Sequence, residues 1–172
     1  MFRSVRPYLE RAGLGEPVVC YQGAVVAEPA TGRFLRHVPI EVDLAREAIA
    51  AVQERGFSLN CYVDDDLYVA AETPGARAYA DFQHIPLNIV GDLLAWLEKP
   101  PTKLVVVSEP RTLDALKPEL VGSFDGRLFI AKSLPYFLEL ASPDVSKGSG
   151  MAFLAELLGF AAERTVAFGD GE

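Results

Sequence analysis

A lysine near the end of the chain has the surroundings of an anion-binding group. Lys147 follows Ser146 and precedes apolar residues at helical spacing, which predicts a helix that begins at the lysine. The first turn of a helix has free N–H groups and a partial positive charge, to which the ammonium adds a full one. Gly148 and Gly150 leave the backbone uncovered there. The segment therefore suits a phosphate group.

An acidic turn follows the predicted helix. Gly159 predicts the end of the helix, and Thr165-Val166-Ala167-Phe168 predicts a short buried strand. The next residues, Gly169-Asp170-Gly171-Glu172, place two carboxylates where a parallel strand would end, which suits a hard cation such as Mg²⁺. A solvated lysine and an ordinary turn would explain either feature alone, but their combination and order favour phosphate chemistry.

This arrangement resembles a known family. Ser-Lys-Gly, a helix, a strand and Gly-Asp-Gly are similar to the third and fourth motifs of the haloacid dehalogenase superfamily, in particular the Cof-type phosphatases with a class IIB cap. Val18 to Val25 resembles the strand and turn after the second motif, with Gln22-Gly23-Ala24 where the family has Asn-Gly-Ala. Tyr62 to Val69 and Lys103 to Val107 are similar to strands of the cap.

The resemblance implies roles for individual residues. Lys147 would be catalytic and would hold the substrate phosphate and a covalent aspartyl-phosphate. Gly148, Gln22 and Gly23 would contribute to substrate binding, and Asp170 would ligate Mg²⁺. The implied function is a Mg²⁺-dependent phosphatase of a small phosphorylated metabolite.

Two parts of the family pattern do not occur in these 172 residues. No Asp-x-Asp-Gly-Thr string supplies the nucleophile, and the second motif, commonly Thr-Gly-Arg, would fall before Met1. The fourth motif continues as Asn-Asp in the family, whereas this chain ends at Glu172. We therefore expect a fragment that is inactive alone, because no other group here replaces a carboxylate nucleophile. The alternative is a non-catalytic cap or binding module, or a truncated gene product.

The composition of the chain limits the kinds of partner and compartment that we expect for the protein. A net charge of −8 argues against a nucleic-acid surface, which needs a clustered basic face. No apolar run reaches the ~18 residues of a membrane span, and no signal-peptide core follows Met1. Cys20 and Cys61 do not form a disulfide framework, and the expected compartment is the cytoplasm. A homodimer is compatible with apolar surface on an incomplete core.

The pattern of elements predicts an α/β fold with a partial Rossmann-like core and an inserted α+β cap. We assign residues 1–39 and 135–172 to the core and residues 40–134 to the cap. Within the cap we expect helices over 43–55, 76–82, 91–97 and 112–120, and strands over 58–63, 67–70, 103–107 and 128–130. Hairpin turns are expected at 64–66 and 124–127; a metal site is the alternative for the three aspartates at 64–66, and the turn is favoured.

The spacing of residues in the sequence does not show which side chains of the cap would contact the leaving group of the substrate. The candidates are Tyr62, Tyr68, His84, Lys132 and Tyr136. Sheet packing is the favoured interpretation for the aromatic residues. His37 and His84 are interpreted as loop residues, because neither lies in an acid/base constellation.

Overall fold

The computed structural model describes residues 1–166. Six α-helices and nine strands follow one another within these residues. Their order is α1 (Phe2–Ala12), β1 (Val18–Cys20), β2 (Val25–Ala27), β3 (Phe34–His37), α2 (Val42–Glu54), β4 (Leu59–Val63), β5 (Asp66–Val69), α3 (Pro74–Gln83), β6 (Leu87–Ile89), α4 (Leu93–Trp96), β7 (Lys103–Val107), α5 (Pro110–Phe124), β8 (Phe129–Leu134), β9 (Phe137–Ala141) and α6 (Lys147–Leu158).

The smaller sheet holds the strands nearest the start of the chain. It is three-stranded, in the order β1-β2-β3, and both pairings are antiparallel. The helix α1 precedes it, with Pro7 inside, and ends at Gly13 in the left-handed conformation. The side chains of β2 are fully buried, which makes this strand the centre of the small unit.

The larger sheet is six-stranded, in the order β6-β5-β4-β7-β9-β8. Its pairings are antiparallel except for β5 with β6, which the helix α3 connects as a parallel pair. Strands β4 and β5 form a hairpin whose turn residues Asp64 and Asp65 have φ of 52° and 66°. The predicted hairpin at the three aspartates is therefore confirmed.

The two faces of the larger sheet bury different partners. Alternate residues of β4, β7 and β9 pack with α2 and α5 in one apolar cluster that includes Leu104, Leu138 and Leu140. The opposite residues, such as Tyr62, Val105 and Ala141, pack with α1, α3 and the smaller sheet in a second cluster. The period of two along a strand separates these sets.

Three sequence expectations need correction. Residues 124–127 do not form a hairpin turn: Phe124 ends α5, Asp125 caps it with φ of 43°, and β8 then pairs with β9. The helix predicted over 91–97 is a single turn, Leu93–Trp96, capped by Asp92. Thr165 and Val166 are exposed and lie outside any strand, while residues 167 and 168 are not among those described.

The predicted fold class is confirmed, since the chain is a mixed α/β structure with helices packed on sheets. The predicted boundary between residues 134 and 135 falls between β8 and β9, which pair as a hairpin. Within residues 1–166, none of the helices has the length and apolar character that crossing a membrane would require.

Candidate functional site

The turn after β1 has a strained backbone. Tyr21 and Gln22 have φ of 51° and 58°, a conformation that bulky side chains rarely adopt. Gly23 follows with φ of 102°, and a methyl group added to it would lie 1.9 Å from the carbonyl oxygen of Ser146. Only glycine fits this position. Strain of this kind is found where the surrounding structure fixes a turn for a functional purpose.

The helix α6 begins directly against this turn. Ser146 and Ser149 form a reciprocal capping box, with Ser149 N–H donating to Ser146 Oγ at 2.9 Å. A methyl group on Gly150 would lie 2.6 Å from Val19 Cγ1 and 2.9 Å from Gly23 Cα. Two glycines thus allow the helix and the turn to touch through their backbones. Lys147 is the first residue of the helix and is exposed, as the sequence predicts.

A cleft of about 610 Å³ brings residues from both sheets together with Lys147. Gln22 and Gly23 line it from the turn, and Lys103 and Glu139 line it from the larger sheet. The complete lining comprises Met1, Val5, Val19, Cys20, Tyr21, Gln22, Gly23, Gln83, Lys103, Glu139, Lys147 and Met151.

A buried ion pair forms part of the wall of the cleft. Lys103 Nζ donates to Glu139 Oε1 at 2.7 Å, and both side chains are 7% exposed. The ammonium also lies over the rings of Tyr21 and Tyr62, 5.8 and 5.6 Å from their centroids. Burial by itself favours the neutral acid, but the lysine and hydrogen bonds from Gln22, Lys103 and Ser133 more than offset it, so the pKa of Glu139 lies below its usual value.

A second carboxylate of the larger sheet reaches the same turn. Asp65 accepts hydrogen bonds from the Tyr21 hydroxyl at 2.5 Å and from the backbone N–H groups of Phe2 and Arg3 at 3.1 and 2.6 Å. The hairpin tip thereby caps the start of α1. Burial raises the pKa of Asp65, although these hydrogen bonds oppose the shift.

The thiols do not have the environment of nucleophiles. Cys20 lines the cleft, and burial raises the pKa of its thiol to about 11. Burial likewise raises the pKa of Cys61 to about 12. Both cysteines are free and buried, so each is a neutral thiol near pH 7.

The structure brings together Lys147, Gln22 and Gly23, which the sequence singled out. Gly148 is exposed beside the cleft and does not line it. Asp170 lies outside the described residues. Among residues 1–166, no three His, Cys, Asp or Glu side chains converge as metal ligands do.

The residues predicted to contact a leaving group lie elsewhere. Tyr62 is fully buried, Tyr68 packs on Trp96, and Lys132 donates to Asp114 at 2.6 Å. Tyr136 is half exposed and lines a separate groove, while His84 caps α3.

Sequence reasoning missed Lys103 and Glu139. Each is a lone charge in an apolar strand, KLVVV or FLELA. Glu139 lies between leucines that face the other side of the sheet. A single charged residue in an otherwise apolar strand was the signal that could have identified both residues, because an ionised group is rarely buried without a partner.

Comparison with known proteins identifies the family. A model of the haloacid dehalogenase-like hydrolases matches residues 1–172, and the chain belongs to this family. It is 25% identical over 170 residues to a "Putative phosphatase" of Streptococcus pyogenes serotype M6, covering 98% of this chain and 63% of the relative.

Solved structures show the same fold. A crystal structure from Thermotoga maritima is 26% identical with a TM-score of 0.78, covering 88% of this chain and 58% of that one. A haloacid dehalogenase-like hydrolase from Bacteroides thetaiotaomicron is 19% identical with a TM-score of 0.87, covering 97% and 64%. The chain thus spans a little less than two thirds of the length of these relatives.

Proposed function

We propose that residues 1–172 form most of a Mg²⁺-dependent phosphatase. The enzyme would act on a small phosphorylated metabolite through an aspartyl-phosphate intermediate. In this proposal the smaller sheet and α6 belong to the core, and the larger sheet with its helices is the cap over the site. The observation that carries the proposal is Lys147, which opens onto the cleft from the first turn of α6. Among residues 1–166 it has no ion-pair partner.

The start of α6 suits a phosphate group for a physical reason. Ser146 Oγ accepts the N–H of Ser149, and the N–H of Gly150 donates to the Ser146 carbonyl at 3.1 Å. The N–H groups of Lys147 and Gly148 have no such partner within the described part of the chain. Free donors, the helix dipole and the ammonium all favour an anion there. Gly148 would therefore act through its backbone.

The remaining residues of the cleft suit a small leaving group. Its volume of about 610 Å³ is in the range of small-molecule sites. Gln22 and the Lys103–Glu139 pair give part of the cleft wall a polar character. Such groups could orient a polar metabolite and exclude water from the phosphate.

The metal requirement rests on the family resemblance of the acidic segment that contains Asp170. Residues 1–166 do not themselves provide a magnesium site, and no step of the proposal is derived through the ion. When bound, Mg²⁺ would supply charge neutralisation at the phosphate.

The test uses the natural protein that carries these residues and p-nitrophenyl phosphate, with and without Mg²⁺. Lys147→Ala should lower kcat/KM by at least about 100-fold, since it removes the charge that holds the transferred phosphoryl group. Lys99→Ala, which removes an exposed surface lysine, is the matched control and should leave the rate unchanged. Wild-type rates in Lys147→Ala would remove the proposal.

A second arm tests the missing nucleophile. Residues 1–172 contain no Asp-x-Asp-Gly-Thr string, so by themselves they should not release p-nitrophenol. Mg²⁺-dependent turnover by these residues alone would contradict the aspartyl-phosphate route as stated here.

A further inference from the structure

Two residues of the turn after β1 have a left-handed backbone conformation, and the side chain of each donates a hydrogen bond to a carboxylate. Tyr21 donates its hydroxyl to Asp65 at 2.5 Å, and Gln22 Nε2 donates to Glu139 Oε2 at 2.8 Å. Both acceptors belong to the larger sheet, Asp65 at the tip of the β4–β5 hairpin and Glu139 in the middle of β9. We name this pair of acceptors the carboxylate clamp.

The clamp is itself rigidly held. Glu139 Oε1 accepts from Lys103 Nζ at 2.7 Å and from Ser133 Oγ at 2.8 Å, which leaves Oε2 for Gln22. Asp65 accepts two backbone N–H groups at the start of α1 as well as the tyrosine hydroxyl. A carboxylate with several fixed donors has little freedom to move.

The turn that the clamp holds is the surface on which α6 rests. Gly23 follows Gln22 directly, and its Cα faces Gly150, where even a methyl group would approach within 2.9 Å. A methyl group added to Gly23 would in turn lie 1.9 Å from the carbonyl oxygen of Ser146. A shift of the turn would therefore move the first turn of α6, and Lys147 with it.

The strain explains why external partners are needed. Tyr21 and Gln22 both occupy the left-handed region, which is unfavourable for residues with bulky side chains when nothing compensates. Side-chain hydrogen bonds to charged acceptors are among the interactions that can offset such a cost. The turn keeps its shape while the larger sheet is docked against it.

We infer that Asp65 and Glu139 are positioning residues, which hold the turn at Tyr21–Gly23 and so fix Lys147 and the first turn of α6 for phosphate binding. The reference to phosphate rests on the proposed function.

The test is amide hydrogen exchange followed by NMR on the wild-type chain and on Glu139→Gln. Two reporters are local: Ala24 N–H, which donates to Tyr21 O at 3.0 Å, and Gly150 N–H, which donates to Ser146 O at 3.1 Å. Leu113 N–H, which donates to Glu109 O in α5, reports on the opposite face of the sheet. Glu139→Gln should speed exchange at Ala24 and Gly150 at least tenfold and leave Leu113 within about twofold.

The matched control is Glu47→Gln, because Glu47 is a surface carboxylate that accepts two hydrogen bonds from Arg127. It should leave all three exchange rates unchanged. Equal acceleration at all three reporters in Glu139→Gln would mean a general loss of stability and would overturn the inference. Unchanged exchange at Ala24 and Gly150 would overturn it as well.

A titration with inorganic phosphate on the same samples separates this inference from the proposed function. The shifts of the Ser149 and Gly150 amides should give a Kd that is at least fivefold weaker in Glu139→Gln than in wild type. If wild type shows no phosphate response at these amides, the proposed function fails while the exchange rates still decide the clamp. If phosphate binds both proteins equally, the clamp fails and the phosphate site stands.

Discussion

The two faces of the larger sheet differ although the same strands supply both. Toward α2 and α5 the strands β4, β7 and β9 present apolar side chains and the thiol of Cys61, and Leu104, Leu138 and Leu140 are fully buried. On the opposite face the same strands present Lys103 and Glu139, which line the cleft, and Tyr62, which is fully buried.

The two faces also differ in the polar side-chain atoms that are buried on them. On the cleft side, Asn60 Nδ2 and Tyr62 Oη are buried without a hydrogen bond partner in the described residues. On the helix-covered side the described residues have one such atom, Arg46 Nε of α2, and the side chains that the strands bury there are hydrocarbon or thiol. Strands β4, β7 and β9 thus bury hydrocarbon and thiol side chains toward the helices and polar side chains toward the opposite face, where the cleft lies.

The largest expected effect comes from breaking the buried ion pair. Glu139→Leu should lower the free energy of unfolding by about 3–5 kcal/mol, because it leaves the Lys103 ammonium buried without its partner. The double variant Lys103→Met with Glu139→Leu should recover most of the loss, since no charge then remains in the wall. Urea denaturation of the single and double variants measures both values. A loss below about 1 kcal/mol in the single variant would contradict the assigned burial.

On the other face, the neighbouring residue tests packing alone. Leu140→Ala should lower the free energy of unfolding by about 2–5 kcal/mol through lost burial and the cavity left behind. Leu134→Ala, at a side chain that is 44% exposed, is the control and should change it by less than about 0.5 kcal/mol. The phosphate affinity of the folded Leu140→Ala protein should match that of wild type. A weaker affinity in this variant would contradict the functional difference between the two faces.

The contact between the turn and α6 gives a smaller effect. Gly150→Ala should destabilise the protein by about 1–3 kcal/mol, because the new methyl group meets Val19 and the backbone of Gly23. Gly148→Ala is matched to it in the same turn of the helix, and its nearest neighbour would be Ser146 Oγ at 3.6 Å. That variant should be as stable as wild type or up to about 1 kcal/mol more stable, owing to the helix propensity of alanine. Thermal unfolding of both variants decides the point.

The smallest effect is on the pH dependence of stability. The pKa of Glu139 is lower in the folded protein than its usual value of 4.5, so its contribution is complete above pH 4.5 and is lost as pH falls through the folded pKa. Glu139→Gln lacks this ionisation. Its stability should therefore fall less steeply than that of wild type on acidification below pH 4.5, as measured by urea denaturation at several pH values. Parallel curves would mean that folding does not shift the pKa of Glu139.

Local patterns were sufficient for much of the fold. The helix at Lys147, the hairpin at Asp64 and Asp65 and the strand over 103–107 all follow from residue spacing and turn chemistry. Errors came where the partner of an element was non-local. Phe124 to Arg127 has the composition of a hairpin turn, but β8 pairs with β9 and not with the preceding strand. No local signal states which strand a segment will pair with.

The residues of the candidate site also fall into two groups, those that a short motif predicts and those that only the fold brings together. Lys147, Gln22 and Gly23 could be proposed from short motifs, because a helix start and a glycine turn are properties of consecutive residues. Glu139 is separated by 117 positions from Gln22, and Asp65 by 44 from Tyr21. These pairs exist only because the larger sheet folds back onto the turn.

The sequence by itself determined the class of elements, the helix that begins at Lys147 and the family resemblance, since each depends on spacing within a short segment. Only the tertiary structure decided that Lys103 and Glu139 form a buried pair and that their sheet holds a strained turn against α6. The physical reason is that charge burial, strain and contact are set by groups that are distant in the chain and adjacent in space.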